Sequence, residues 1–127
     1  MMGQLQPLIG IPFRPGGTAV DGCDCWGLVC LAYRTLYGIA LDIAPASGAE
    51  VLAEAARWSR VTTPTVGDVL LFRARGWPAH VGVALGQGRM LHVVEGGVSA
   101  VERCDGPVWA ARLVGAYRHP LRLGAPA

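Results

Sequence analysis

No stretch of this 127-residue chain is long and unbroken enough in apolar residues to cross a membrane. The 52% hydrophobic content comes from Ala, Val and Leu interspersed with Gly rather than from one run. Charge is also scarce. Only 16% of residues are charged, the net charge is +2 and the arginines are scattered, which leaves no electrostatic footprint for nucleic acid. No linker, low-complexity tract or internal repeat divides the chain. One domain over 1–127 is expected, with a core from about 9 to 119 and a disordered tail over 120–127. The N-terminal residues Met1-Met2-Gly3-Gln4-Leu5-Gln6-Pro7 carry neither a basic n-region nor a long apolar h-region. No signal peptide is expected, and synthesis in the cytoplasm is.

Four cysteines are present: Cys23, Cys25, Cys30 and Cys104. With no export signal expected, free thiols are the default over disulfides. A zinc site is the rival, since His80, His92 and Cys104 lie downstream of the cluster. The spacing C-x-C-x4-C departs from the usual C-x2-C knuckle, so no metal or other cofactor is expected.

The chain is organised around Asp21-Gly22-Cys23-Asp24-Cys25-Trp26-Gly27-Leu28-Val29. After Cys25, Leu28, Val29, Ala32 and Leu36 recur at helical spacing with Tyr33 and Tyr37 alongside, which predicts a helix over Cys25–Tyr37. Asp24 is an N-cap type and Gly38 falls where a C-cap glycine would end the run. The thiol then sits at a helix N-terminus, where unpaired N–H groups favour a negative charge. It is expected to ionise more easily there and to serve as a nucleophile.

Before this helix, Pro7 and Pro12 argue against helical structure in the apolar lead-in over 5–13, and Arg14-Pro15-Gly16-Gly17 reads as a turn. After it, Ser47-Gly48-Ala49-Glu50 has capping-box spacing ahead of Val51, Leu52, Ala55 and Trp58, predicting a second, shorter helix. From Gly67 the period changes. Strands are expected at 68–72, 80–85, 89–94 and 98–102, a helical turn at 109–113 and a last strand at 114–118. Helices followed by an antiparallel sheet give an α+β architecture.

The Gly86-Gln87-Gly88 turn allows a register to be derived. A three-residue loop pairs Leu85 with Arg89, Val83 with Leu91, Gly82 with His92 and His80 with Val94. Val81, Val83, Leu91 and Val93 then share one apolar face. His80 and His92 are diagonal neighbours on the other, with only Gly82 filling the space opposite His92. If the Cys25 helix packs on the imidazole face, three roles can be assigned. Cys25 attacks a carbonyl carbon, His80 takes the thiol proton and pairs with the thiolate, and His92 fixes the tautomer of His80. The N–H groups at the helix start, that of Cys25 included, are candidates for an oxyanion site. Trp26 either packs or lines a substrate groove. Cys23 is a neighbour of the site without a chemical step, Cys30 a core residue and His119 a surface one.

These segments resemble the NlpC/P60 cysteine peptidases, a compact papain-like domain. The resemblance rests on Asp24-Cys25-Trp26-Gly27-Leu28-Val29, Gly67-Asp68-Val69-Leu70-Leu71-Phe72, His80-Val81-Gly82-Val83-Ala84-Leu85-Gly86 and Met90-Leu91-His92, in the family's order. It implies a triad of Cys25, His80 and His92, and hydrolysis of peptidoglycan stem peptides at a γ-D-glutamyl-diamino acid bond. It also implies a substrate-binding role for Asp24, on the substrate's free amino group. Many members carry tyrosine where Phe13 falls, near the nucleophile, and serine where Trp26 follows it; Phe13 brings no hydroxyl to that position. Phe13-Arg14-Pro15-Gly16-Gly17, Cys23-Asp24-Cys25-Trp26-Gly27 and the ending over 109–119 are similar to the phage-tail subgroup. That similarity implies a tail hub or baseplate partner, assembly into a phage-like tail and action in a target cell's wall. The alternatives are a catalytically silent structural tail-tip protein with the same fold, and a zinc-binding interaction module.

Overall fold

The structure is a computed structural model that describes residues 2–41, 57–74 and 77–122. It opens with a helical turn, α1 (Met2–Leu5), and a 3-10 turn at Gln6–Leu8. The expectation that prolines exclude helix from the lead-in is corrected at this point. Pro7 lies at the start of the 3-10 turn, where its missing N–H leaves no bond unmade. Leu5, Leu8 and Ile11 are buried. Pro12 forms an antiparallel bridge to Val98, and Phe13 a parallel bridge to Cys23.

A two-stranded hairpin of β1 (Thr18–Ala19) and β2 (Gly22–Cys23) delivers the chain into α2 (Cys25–Tyr37). The helix has the limits its sequence predicts. Asp24 has extended backbone and its Oδ1 accepts from the Gly27 N–H at 2.7 Å. Gly38 closes the other end at φ +64°, a left-handed conformation that glycine adopts without a Cβ clash. The second predicted helix, from the capping box at Ser47 to Trp58, lies outside the described residues as far as 56. Its last expected residue, Trp58, lies in a bend and is buried.

The remaining strands are β3 (Ser59–Val61), β4 (Val69–Ala74), β5 (Trp77–Gly86), β6 (Arg89–His92), β7 (Ala100–Arg103) and β8 (Leu113–Arg118), with a short helix α3 (Pro107–Ala110) before the last. They form one six-stranded sheet in the order β3-β8-β4-β5-β6-β7, with every pair antiparallel. The derived register holds at Val83↔Leu91 and fails nearer the turn, where Gly86 pairs with Arg89 and Leu85 is the extra residue of a bulge. The turn has two residues, Gln87 (φ +56°) and Gly88 (φ +73°). Positive φ at both central positions matches the right-handed twist of a hairpin, so the chain tightens the loop and absorbs the spare residue in the strand.

The two faces of the sheet differ in chemistry. Leu28, Val29, Ala32 and Tyr33 of α2 pack on Val69, Leu71, Val81, Val83, Leu91 and Val93. The opposite face carries Leu70, Phe72, Ala84, Met90 and Ala116, partly covered by Val61, Cys104 and Trp109. The helix thus lies on the apolar face and not, as the sequence reasoning supposed, on the imidazole face. Its own buried stripe is apolar, and laying it over two histidines would bury their polar nitrogens without partners.

The end of the chain is tied down rather than disordered as far as Arg122. Both oxygens of the fully buried Asp68 are engaged. Oδ1 accepts from Arg118 Nε (2.9 Å) and Arg122 Nη1 (2.7 Å), and Oδ2 accepts from Arg118 Nη2 (2.9 Å) and the Thr65 N–H (2.8 Å). Burial alone would push this carboxyl up. The Arg118 bonds, the Thr65 N–H and Arg122 more than offset it, and the net shift is down. His119, expected at the surface, sets its ring edge-on to Trp58 at 4.9 Å and beside Tyr33 at 5.9 Å.

Candidate active site

Cys25 is the first residue of α2, partly buried against the main core. The loop before it is held almost wholly by backbone. The Arg14 N–H donates to the Cys23 carbonyl at 3.0 Å, the Cys23 N–H to Pro12 at 3.1 Å and the Asp24 N–H to Gly17 at 3.1 Å. Asp24 adds its side chain to the same knot, with Oδ2 accepting from the Gly16 N–H at 3.0 Å. Its carboxylate therefore caps the helix and clasps the loop at once. Phe13, bridged to Cys23, lies half-buried beside this knot. Close approach explains Gly27: a Cβ there would fall 1.9 Å from the Gly17 carbonyl oxygen.

The thiol of Cys25 reaches the backbone of β5. The backbone groups of Val81, Trp26 and Cys25 itself act on its thiol in the direction that favours ionisation. They do not produce the easily ionised thiol that the helix position predicts. Burial is the largest influence and pushes the Cys25 thiol up, the Val81 N–H opposes it, and the Asp24 carboxylate adds to the rise. The net shift is upward because removing a lone thiolate from water outweighs the N–H groups that face it.

His80 is buried beside Phe72, its partner across β4, and directly precedes Val81, the β5 residue whose backbone Cys25 faces from the helix start. Its Nε2 lies 2.9 Å from Nδ1 of His92, so the diagonal imidazole pair expected from the register is present. Gly82 makes room for it, since a Cβ there would stand 3.3 Å from the His92 Cβ. Burial lowers the His80 pKa to about 4, assisted by His92 and Arg112 and opposed by the Glu102 carboxylate.

Two participants escaped the sequence reasoning. His92 Nε2 lies 2.7 Å from Oε1 of Glu102, and Oε2 of Glu102 accepts from Trp109 Nε1 at 2.9 Å. The indole stacks on His80 (5.1 Å, 27°) and stands edge-on to His92 (5.1 Å, 85°). A signal for Glu102 existed: carrying the β6 register into β7 sets Glu102 opposite Met90, on the imidazole face. Nothing in the spacing announces Trp109, which arrives from α3.

The other expected site residues fall as follows. Trp26 is buried, 3% exposed, with its ring 6.0 Å from that of Trp58, so it packs and does not line a groove. None of the four cysteines forms a disulfide. Cys23 is fully buried and its pKa is raised by burial to about 11. Cys30 packs half-buried against the core.

Residues 10–118 match the sequence model of the NlpC/P60 family. Among curated relatives, the chain is 30% identical to the Escherichia coli murein DD-endopeptidase MepS/murein LD-carboxypeptidase over 112 residues, 88% of this chain and 57% of the relative. It is 34% identical to the E. coli murein DD-endopeptidase MepH over 123 residues, 92% of this chain and 44% of the relative. The chain thus spans about half the length of these curated relatives. Among solved structures, it superposes on the NlpC/p60 domain of the peptidoglycan hydrolase SagA with a TM-score of 0.68 at 25% identity, covering 92% of this chain and 94% of that one.

Proposed function

The chain belongs to the NlpC/P60 family, and from that premise we propose that it is a cysteine endopeptidase acting on the stem peptides of peptidoglycan, at a γ-D-glutamyl-diamino acid bond. The observation that carries this reading is the meeting of a capped helix start with the β5 backbone. The Cys25 thiol faces the backbone of Val81, one residue from an imidazole whose Nε2 is already bonded to His92. The names of the relatives, murein endopeptidases and a peptidoglycan hydrolase, supply the substrate class.

In this mechanism His80 takes the Cys25 proton as the sulfur attacks the scissile carbonyl carbon. The S–C bond forms and the carbonyl electrons move to oxygen. Collapse of that intermediate breaks the C–N bond, and the imidazolium returns its proton to the leaving amine. Water, deprotonated by His80, then cleaves the thioester and restores the thiol. His92 holds the His80 ring in orientation. Burial disfavours a lone charge on either group, raising the thiol and lowering the imidazole. Transfer of the proton within the pair creates both charges together, each offsetting the other.

The reading extends to delivery on the tail tip of a phage-like particle, with a tail hub or baseplate protein as partner and the target cell's wall as site of action. The similarity of the segments over 13–17 and 23–27 to tail-borne peptidases supports it; recovery of the chain from purified tail particles by mass spectrometry would test it. For the chemistry, the test is release of stem fragments from purified sacculi, followed by mass spectrometry. Wild type should cut and Cys25→Ala should be folded and inactive. A folded, reduced wild-type protein that leaves every stem bond intact would instead favour a silent structural protein, a reading to which the raised thiol pKa and the missing hydroxyl at Phe13 lend weight.

A further inference from the structure

Glu102 has a side chain that is 53% exposed, yet both of its oxygens are committed. We propose that Glu102 is a positioning residue that sets the hydrogen pattern of both imidazoles, with Trp109 anchoring its carboxylate. The proposal deepens the peptidase reading above and rests on its assignment of His80 as the base.

The hydrogens on the three side chains can be placed one by one. An ionised carboxylate has none to give, so the contact at 2.7 Å requires His92 to carry its hydrogen on Nε2. With that ring neutral, its Nδ1 is a lone pair. His80 Nε2, 2.9 Å away, must then donate to it. The single hydrogen of neutral His80 is thereby spent on Nε2, and Nδ1 is left bare. That is the nitrogen able to accept a proton from a thiol. Reversing any link reverses all of them, and His80 would present a hydrogen where the reaction needs a base.

Trp109 makes the choice of residue at 102 specific. Its Nε1–H also points at the carboxylate, at 2.9 Å. Two donors converge on one side chain, and only a group with two acceptor oxygens answers both. A glutamine has one acceptor and one donor. Its NH2 must oppose either the Trp109 N–H or the His92 N–H. The carboxylate is kept ionised by the same contacts. Burial acts upward on it, but the bonds from Trp109 and His92 prevail and hold it below the usual range. Trp109 further fixes the geometry by lying flat on His80 and edge-on to His92.

The experiment is a double-mutant cycle on the full chain with Glu102→Gln, Trp109→Phe and the pair together. It is read by 15N–1H NMR of the histidine rings and by the kcat and KM for stem-peptide hydrolysis. Phenylalanine keeps a ring over His80 while removing the second donor. Glu102→Gln should lose the single tautomer at His80 and His92 and drop kcat on the order of 10- to 100-fold with KM little changed, the usual cost of removing an orienting group. In the double variant the amide oxygen can serve His92 with no donor opposing the NH2, so the tautomers and most of kcat should return. Unaltered His80 ring signals in Glu102→Gln, or a double variant no better than that single one, would overturn the proposal. The peptidase reading fails separately: wild-type protein with the expected tautomers but no hydrolysis would end that reading while leaving the hydrogen pattern to be decided by the NMR arms alone.

Discussion

Replacing Asp68 with asparagine keeps the shape of a fully buried side chain and removes only its charge. Three of its bonds come from guanidinium groups, two from Arg118 and one from Arg122. An amide would turn its NH2 toward one of these cations. Breaking a buried ion pair on one side costs about 3–5 kcal/mol. The two arginines left behind are 25% and 13% exposed and can recover some hydration, so the low end, about 3 kcal/mol, is expected. Set against a typical domain stability of about 5–15 kcal/mol, that is a large share, and it should lower Tm by roughly 12 °C at roughly 4 °C per kcal/mol. The assay is urea unfolding followed by circular dichroism from pH 7 to pH 3. Because the folded carboxyl titrates below its unfolded value, its contribution is complete above about pH 4 and is lost as pH falls through the folded value. The gap between wild type and Asp68→Asn should therefore narrow on the acid side. A gap under about 1 kcal/mol at pH 7, or one that stays constant to pH 3, would show that the Asp68 charge does not hold the two arginines in this way.

Gly27→Ala should destabilise the fold although alanine is the better helix former by about 1 kcal/mol; the added Cβ meets the Gly17 carbonyl oxygen at 1.9 Å, and a raised Tm would show that the loop yields. In the proposed mechanism the acid limb of kcat/KM should fall with a midpoint near the His80 value of about 4, because there the imidazole accepts the thiol proton only when unprotonated; a midpoint near 6.5, the ordinary histidine value, would mean the ring is more hydrated than its burial indicates.

The helix that carries Cys25 was legible to the residue because its signals are local: a capping carboxylate, an apolar stripe and a left-handed glycine within one stretch. The imidazole pair was legible because side-chain alternation converts a register into faces, and the pairing Val83↔Leu91 survived a misjudged loop. The side on which α2 docks was readable too, and the supposition went wrong by following the chemistry and not the apolar stripe. Glu102 and Trp109 lay further from view. Their contacts depend on how β7 and α3 fold back over the sheet, which no spacing within the motifs records. The hold of Arg122 on Asp68 is likewise a contact between distant parts of the chain, invisible to local pattern.

The placement of β8 between β3 and β4 has a consequence in time. His80, His92 and Glu102 lie on β5, β6 and β7, which follow one another along the chain and pair as neighbours. Such short-range pairings close quickly. β3 and the second edge of β4, by contrast, wait for a strand made near the end of the described chain. During synthesis the hydrogen-bonded imidazole pair can assemble while one edge of β4 is still open and prone to pair with a neighbour's strand. β8 closes that edge by pairing with β4, and Arg118 and Arg122 lock it there by closing on Asp68, so the ion cluster that steadies the finished fold also secures the strand whose arrival covers the exposed edge.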